Sequence, residues 1–124
     1  MSMLERHRGH AVLLSETTHW SRAYSAQMTA LGVLTVLRPA EQGSVRAEEN
    51  GYWVVPVNGP RDARFELVEH ITESGLSAIV LAGGNLNETA VVASMRGSAV
   101  CFRKSLDARD VVNWIHRYPF GERQ

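Results

Sequence analysis

The chain has 124 residues, a mass of 13.7 kDa and a formal net charge of zero, with 13 basic residues against 13 acidic ones. A balanced charge offers no long-range attraction for nucleic acid or an anionic membrane, so neither is an expected partner. A single cysteine excludes an internal disulfide, and no apolar run approaches the roughly 20 residues of a membrane helix. The sequence therefore predicts one cytoplasmic domain.

Strand-like and helix-like segments alternate along the chain. Apolar, β-branched runs predict strands over 11–15, 33–40, 52–57, 76–82 and 98–102. Apolar residues at helical spacing predict helices over 18–32, 61–75, 83–97 and 105–118. Segment 41–50 has few apolar residues and predicts at most a short helix. Residues 1–10 form a polar lead and 119–124 a tail or the start of a linker, so the domain covers 11–118.

Each well-defined helix has a stripe of residues expected to face the core. The predicted stripe residues are Trp20, Tyr24, Met28 and Leu31, then Phe65, Leu67, Val68 and Ile71, then Val111, Ile115 and Tyr118. Asp62 is the predicted N-cap of the helix over 61–75. Alternating strands and helices predict a doubly wound, three-layer α/β fold whose functional crevice lies beyond the carboxyl ends of parallel strands.

The segments that deliver residues to this crevice read LLSETT, VVPVNGP, IVLAGG and CFRKSLDARDVV. Their order and spacing resemble the receiver domain of bacterial two-component response regulators, over roughly residues 11–118. The resemblance implies a five-stranded parallel sheet of flavodoxin-like type, with strand order 2-1-3-4-5. It also implies a phosphorylation pocket at Glu16, Thr17, Pro56, Ala82 and Lys104.

That pocket departs from the receiver pattern at most of its positions. Pro56 aligns with the phosphoacceptor aspartate, Thr17 with the second residue of an acidic pair, and Ala82 with a hydroxyl residue. Proline has no nucleophilic atom, so Pro56 cannot accept a phosphoryl group. With Glu16 as its one carboxylate, the pocket is a poor magnesium site, and no metal or cofactor is expected. Lys104, which keeps the family's lysine, is expected to pair with Glu16.

A surface for association is predicted around the fifth strand and the last helix. In receivers, the helix before the fifth strand, that strand and the last helix form the usual docking surface. The residues that this resemblance assigns to the surface are Arg96, Cys101, Arg103, Val112, Trp114 and Arg117. Trp114 is its candidate anchor, because aromatic residues beside arginines are typical of binding hot spots. The alternative is that Trp114 closes the core.

The resemblance therefore implies a non-enzymatic, phosphorylation-independent receiver-like domain, the regulatory part of a bacterial signalling or transcription regulator. Its partners would be a second copy or another signalling protein or output domain. An alternative is a flavodoxin-like ligand-binding protein or enzyme whose crevice holds an anion. The residues that would hold it are Gly83, Gly84, Asn85, Lys104 and Ser105. A third possibility is phosphorylation at Glu16 or at a serine.

Overall fold

Five apolar runs of the chain form strands in the computed structural model, which describes residues 10–16, 18–46, 51–58, 62–83, 99–103 and 107–117. The strands are β1 (His10–Leu14), β2 (Leu34–Arg38), β3 (Tyr52–Val57), β4 (Ser77–Ala82) and β5 (Ala99–Arg103). The helices are α1 (His19–Ala30), α2 (Arg64–Glu73) and α3 (Arg109–Arg117). The strand predictions agree with these bounds to within two residues.

These strands pair as one parallel sheet in the order β2-β1-β3-β4-β5, which confirms the predicted doubly wound fold. The strand order reverses at β1, which lies between β2 and β3. Because all the strands run the same way, their carboxyl ends meet at one edge of the sheet.

The sheet has two faces, and each buries a separate apolar cluster because successive side chains of a strand point to opposite sides. Residues of α1 and α3 cover the first face. The buried members of this cluster are Ala11, Leu13, Tyr24, Met28, Val33, Tyr52, Val54, Ile79, Leu81, Ala108, Val111, Val112 and Ile115. Residues of α2 cover the second face. The buried members there are Val12, Leu14, Trp53, Val55, Val57, Leu67, Val68, Ile71, Leu76, Ala78 and Val80.

Helix α1 begins at a capping box. Thr18 Oγ1 accepts the backbone N–H of Ser21, and the Ser21 hydroxyl accepts the backbone N–H of Thr18. The helix ends before Gly32, whose positive φ of 98° reverses the chain into β2. Tyr24 and Met28 are buried as predicted, but Leu31 is 36% exposed, because it follows the last helical turn and has left the stripe.

Helix α2 buries Leu67, Val68 and Ile71, whereas Phe65 is only half-buried near the helix start. The residue before the first helical turn, Ala63, makes no side-chain cap bond. Asp62 performs that function from one position earlier, because its Oδ1 accepts the backbone N–H of Arg64.

Segment 41–50, where at most a short helix was predicted, contains a 3-10 turn at Gln42–Ser44, and 47–50 lie outside the described residues. Most of the predicted helix 83–97, the tail 119–124, residues 1–9 and Tyr118 also lie outside them. Among the helices that the structure describes, none has the length and apolar character needed to cross a bilayer.

Candidate functional site

The carboxyl edge of the sheet contains a cleft of about 500 Å³. It lies between the ends of β1 and β2 and the start of α2, beside the point where the strand order reverses. Its lining residues are Ser15, Glu16, Pro39, Ala40, Glu41, Asp62, Ala63 and Arg64. Of the three predicted pocket residues that the structure describes, Glu16, Pro56 and Ala82, Glu16 alone lines this cleft. Glu16 and Glu41 make its rim acidic, so this part of the crevice does not favour an anion.

Pro56 lies inside β3, one residue before the strand ends, and it is buried. Its register partner in β4 is Leu81, and the Val57 carbonyl accepts the N–H of Gly83. In a parallel ladder, neighbouring residues direct their backbone groups to opposite sides, so the groups of Pro56 face β1. A non-proline residue there would donate its N–H to the carbonyl of Leu14.

This missing donor explains where the central ladder stops. The pairing of β1 with β3 runs from Ala11 with Tyr52 to Leu13 with Val54 and goes no further. The next bridge needs an N–H at position 56, which proline lacks. Pro56 therefore lies just beyond the last bridge on the β1 side, whereas on the β4 side the ladder continues for one more residue.

Ala82 ends β4 with its side chain 4% exposed, and it lies in register with Val57 and Arg103. This row across the sheet supplies neither a hydroxyl nor a carboxylate to the crevice. Arg103 was predicted for the docking surface. It lies at the carboxyl end of β5, at the crevice edge, and on the same face of that strand as Cys101.

Asp62, the predicted N-cap, makes more bonds in this region than the prediction included. Its carboxylate accepts the backbone N–H groups of Asn58 and Arg64, at 2.8 and 3.0 Å. It also accepts Nε and Nη2 of Arg64, at 2.9 and 2.7 Å. Burial alone would raise the pKa of Asp62, but the hydrogen bonds and positive charge of Arg64, together with the Asn58 N–H, lower it to about 2. Asp62 thus fastens the β3–α2 connection to the first turn of the helix.

A hydrogen bond from Ser21, which is fully buried, fixes the connection from β1 to α1. The hydroxyl of Ser21 donates to the carbonyl of Glu16 at 2.9 Å. This bond fixes the backbone of Glu16 while its carboxylate stays exposed at the cleft. Thr17 and Lys104 lie outside the described residues, and so does the predicted Glu16–Lys104 ion pair.

The predicted docking surface is divided by the sheet. Trp114 is half-buried on the first face, where its ring makes edge contacts with Tyr52 and Phe102, with centroids 5.3 and 6.4 Å apart. Cys101 packs on the second face, because alternate residues of β5 point to opposite sides. The assignment of Trp114 and Cys101 to one surface is therefore wrong.

Two further surface residues differ in exposure. Val112 is 2% exposed and belongs to the first-face cluster, so its assignment to the docking surface is corrected to a core position. Arg117, the last residue of α3, is exposed, as expected for a surface residue. Arg96 lies outside the described residues, as do Gly84, Asn85 and Ser105 of the alternative anion site.

Within the described ranges, no group of three or more His, Cys, Asp or Glu side chains is placed to hold a metal ion. Comparisons with protein-family models, with curated proteins and with solved structures found no match to the chain. What the chain does must therefore be inferred from its crevice and from the exposed parts of its sheet and helices.

Proposed function

We propose that the chain is a receiver-like signalling domain that works without phosphorylation, as the regulatory part of a bacterial cytoplasmic signalling or transcription regulator. Information would pass through contact with another signalling protein, an output domain or a second copy. The strand order supports this proposal, because receiver domains share the order 2-1-3-4-5. Many unrelated functions share that order too, so the local chemistry of the crevice has to carry the argument.

The observation that carries the proposal is Pro56 at the end of β3. Phosphoryl transfer to a receiver needs a carboxylate oxygen as nucleophile at this place, and the proline ring offers none. Asp62, on the connection that follows, does not replace it. Its two oxygens already accept hydrogen bonds from Arg64 and Asn58, and their loss would release the start of α2.

The proposed docking surface is the part of β5 and α3 that surrounds Trp114. Trp114 and Phe102 are half-buried and present apolar area, and Arg117 is exposed one turn further along α3, whereas Arg103 lies on the same face of β5 as Cys101. An aromatic centre with a charged rim is the usual composition of a protein-binding hot spot. Because Trp114 also packs on Tyr52, its replacement would disturb the fold, and Arg117 is the better position to test.

The absence of phosphorylation can be tested by intact-mass measurement after treatment with acetyl phosphate and Mg²⁺. We expect no mass increase, whereas a receiver domain with its aspartate intact, treated in parallel, should gain a phosphoryl group. A phosphorylated residue in the crevice of this chain, at Glu16 or at a serine, would refute the proposal.

The docking surface can be tested by placing a photo-cross-linking amino acid at Arg117 in bacterial cells. Arg22, an exposed arginine on α1, is the matched control position. We expect an adduct from position 117 that mass spectrometry identifies as a signalling protein, an output domain or a second copy, and none from position 22. Equal adducts from both positions, or none from either, would contradict this surface assignment.

A second candidate is the binding of a small ligand in the cleft, because its volume of about 500 Å³ falls within the range of ligand pockets. The carboxylates of Glu16 and Glu41 favour a cationic ligand over an anion on this side of the crevice. A thermal-shift titration separates the two candidates. A polyamine that raises the melting temperature with concentration, where phosphate does not, would support ligand binding.

A further inference from the structure

The outer edge of β2 exposes apolar side chains where most edge strands carry charge. Leu34 is 65% exposed and Val36 is 41% exposed. Both lie on the second face, because Val36 is in register with Val12. The part of the β2–β3 connection that the structure describes contains only the turn Gln42–Ser44, so no helix of that part covers them. The one charged residue of β2 is Arg38, at its last position, and the strand has no lysine, internal proline or bulge to block edge pairing.

The ladder with β1 determines which backbone groups of β2 point outwards. The Ser15 N–H donates to the Arg38 carbonyl at 3.0 Å, so Arg38 directs its backbone groups at β1. Because the direction of the backbone groups alternates along a strand, the N–H and carbonyl of Leu34 and of Val36 also point at β1. Thr35 and Leu37 therefore each direct one N–H and one carbonyl outwards, away from the sheet.

The next residues whose backbone groups point outwards are Val33 and Pro39, and the hydrogen bonds of these groups are already made within the chain. The Val33 N–H donates to the Met28 carbonyl at 2.9 Å, and the Val33 carbonyl accepts Oγ1 of Thr35 at 3.1 Å. Pro39 has no N–H, and its carbonyl accepts the N–H of Glu41 at 2.9 Å. Among the described residues, the open groups of this edge are therefore confined to Thr35 and Leu37 and are centred on Val36.

We propose that this edge pairs with the same edge of a second copy, antiparallel and about a two-fold axis at Val36. In that register Thr35 of one copy exchanges both backbone hydrogen bonds with Leu37 of the other, and the reverse pair does the same. Both open N–H groups and both open carbonyls of each copy are then satisfied, with none left over.

The occupant is a second copy because the set of open groups is self-complementary. An axis at Thr35 instead would place Leu37 opposite Val33, whose groups are already engaged. The axis at Val36 also brings the two Val36 side chains together, with each Leu34 extending the apolar strip. The contact involves one short strand, so we expect a weak dimer, with a dissociation constant on the order of 100 µM.

The pairing does not depend on the proposed function. β2 and β5 are opposite edges of the sheet, so a β2 dimer leaves Trp114 and Arg117 accessible. If the experiments on β2 contradict the dimer, the proposed docking surface around Trp114 is unaffected, and the converse also holds. The variants that test β2 and the variant that tests α3 share no residue.

Cysteine cross-linking tests the register directly, in a background carrying Cys101→Ser. The two copies of residue 36 would form a non-hydrogen-bonded pair with Cα atoms about 4.5 Å apart, within disulfide reach. Leu34 and its symmetry mate would lie four residues apart along the strands, about 13 Å. We expect Val36→Cys to give a covalent dimer under mild oxidation at high protein concentration. Leu34→Cys should react more slowly although Leu34 is the more exposed residue.

A charge exchange at the axis gives an independent readout by sedimentation equilibrium. Val36→Lys and Val36→Glu, each alone, should weaken dimerisation about fivefold or more, because like charges would face each other. An equimolar mixture of the two should restore it. The proposal is overturned if Leu34→Cys cross-links as fast as Val36→Cys, if the wild type stays monomeric at millimolar concentration, or if the mixture is no stronger than its components.

Discussion

In the part of the chain that the structure describes, two helices cover one face of the sheet and one helix covers the other. On the first face, α1 and α3 pack over residues of all the central strands, with aromatic contacts between Tyr52 and Trp114 and between Trp20 and Tyr24. On the second face, α2 is the one helix among the described residues, and it packs against β3 and β4. The second face nevertheless buries the largest side chain of the core, Trp53.

β2 shows what this difference means for single residues. Leu37 points to the first face and is half-buried, because α1 packs on β2. Leu34 and Val36 point to the second face and are exposed. The three side chains have similar hydrophobicity, so the presence of a covering helix, and not residue type, determines their burial.

Removal of Trp53 should have the largest effect, because it empties the centre of the second face. We expect Trp53→Ala to lower the free energy of unfolding by about 4 kcal/mol in urea denaturation. The Trp53 Nε1–H has no hydrogen-bond partner in the described part of the chain. Trp53→Phe should therefore cost much less, since it removes the unsatisfied group and keeps most of the ring volume. A loss below about 2 kcal/mol for the alanine variant would show that the second face packs loosely.

Trp114 provides the matching test on the first face. Its ring is half-buried and meets Tyr52 and Phe102 edge-on, so we expect Trp114→Ala to cost about 2 kcal/mol. Trp114→Phe should recover about half of this loss. If the alanine variant is as stable as the wild type in the same denaturation experiment, Trp114 does not close the core and serves the surface alone.

The fold could be read from the sequence because its central strands are continuous apolar runs. The segments 52–57 and 76–82 are buried on both faces, so neither composition nor length leaves another assignment open. The strand order came from the resemblance to receiver domains and not from periodicity. It was correct because short alternating connections allow few parallel topologies.

The errors concern which side a residue faces and which local bonds it makes. Val111 and Val112 are both buried, since the apolar stripe of α3 is wider than one residue per turn. Cys101 and Trp114 were assigned to one surface, but the alternation of β5 separates them. The N-cap bond from Asp62 to the Arg64 N–H was predicted. Its bonds to the Arg64 side chain and to the Asn58 N–H could not be predicted, because they require the conformation of a connection that sequence patterns do not specify. The one sequence feature that could have indicated the ion pair is the spacing of Asp62 two residues before Arg64.

Asp62 tests how firmly the single described helix of the second face is anchored. The pKa of Asp62 is lowered from 3.8 to about 2, so its ionised form stabilises the folded state above pH 3.8. That contribution is lost as the pH falls through about 2. We expect Asp62→Asn to cost about 1 kcal/mol at pH 7, because the pair with Arg64 is partly exposed.

Urea denaturation of both proteins from pH 7 to pH 2 checks this. The gap between wild type and Asp62→Asn should be constant down to about pH 4 and should then close, because the wild-type carboxylate becomes protonated. Glu69→Gln, at an exposed carboxylate in the middle of the same helix, is the control for the loss of one negative charge on α2. A gap independent of pH would mean that the charge of Asp62 does not anchor α2.

Pro56 lies within the sheet itself. We expect its replacement to change the free energy of unfolding less than any of the substitutions above. Pro56→Val supplies an N–H that faces the Leu14 carbonyl, worth about 1 kcal/mol. It also loosens the unfolded chain by roughly the same amount, so the net change should stay below about 1 kcal/mol. Hydrogen exchange gives the sharper readout. The new amide at position 56 should be protected, whereas the new amide in Pro39→Val, which faces away from β1, should exchange quickly at concentrations where the chain is monomeric. Rapid exchange at position 56 would mean that the ladder between β1 and β3 ends for a reason other than the proline.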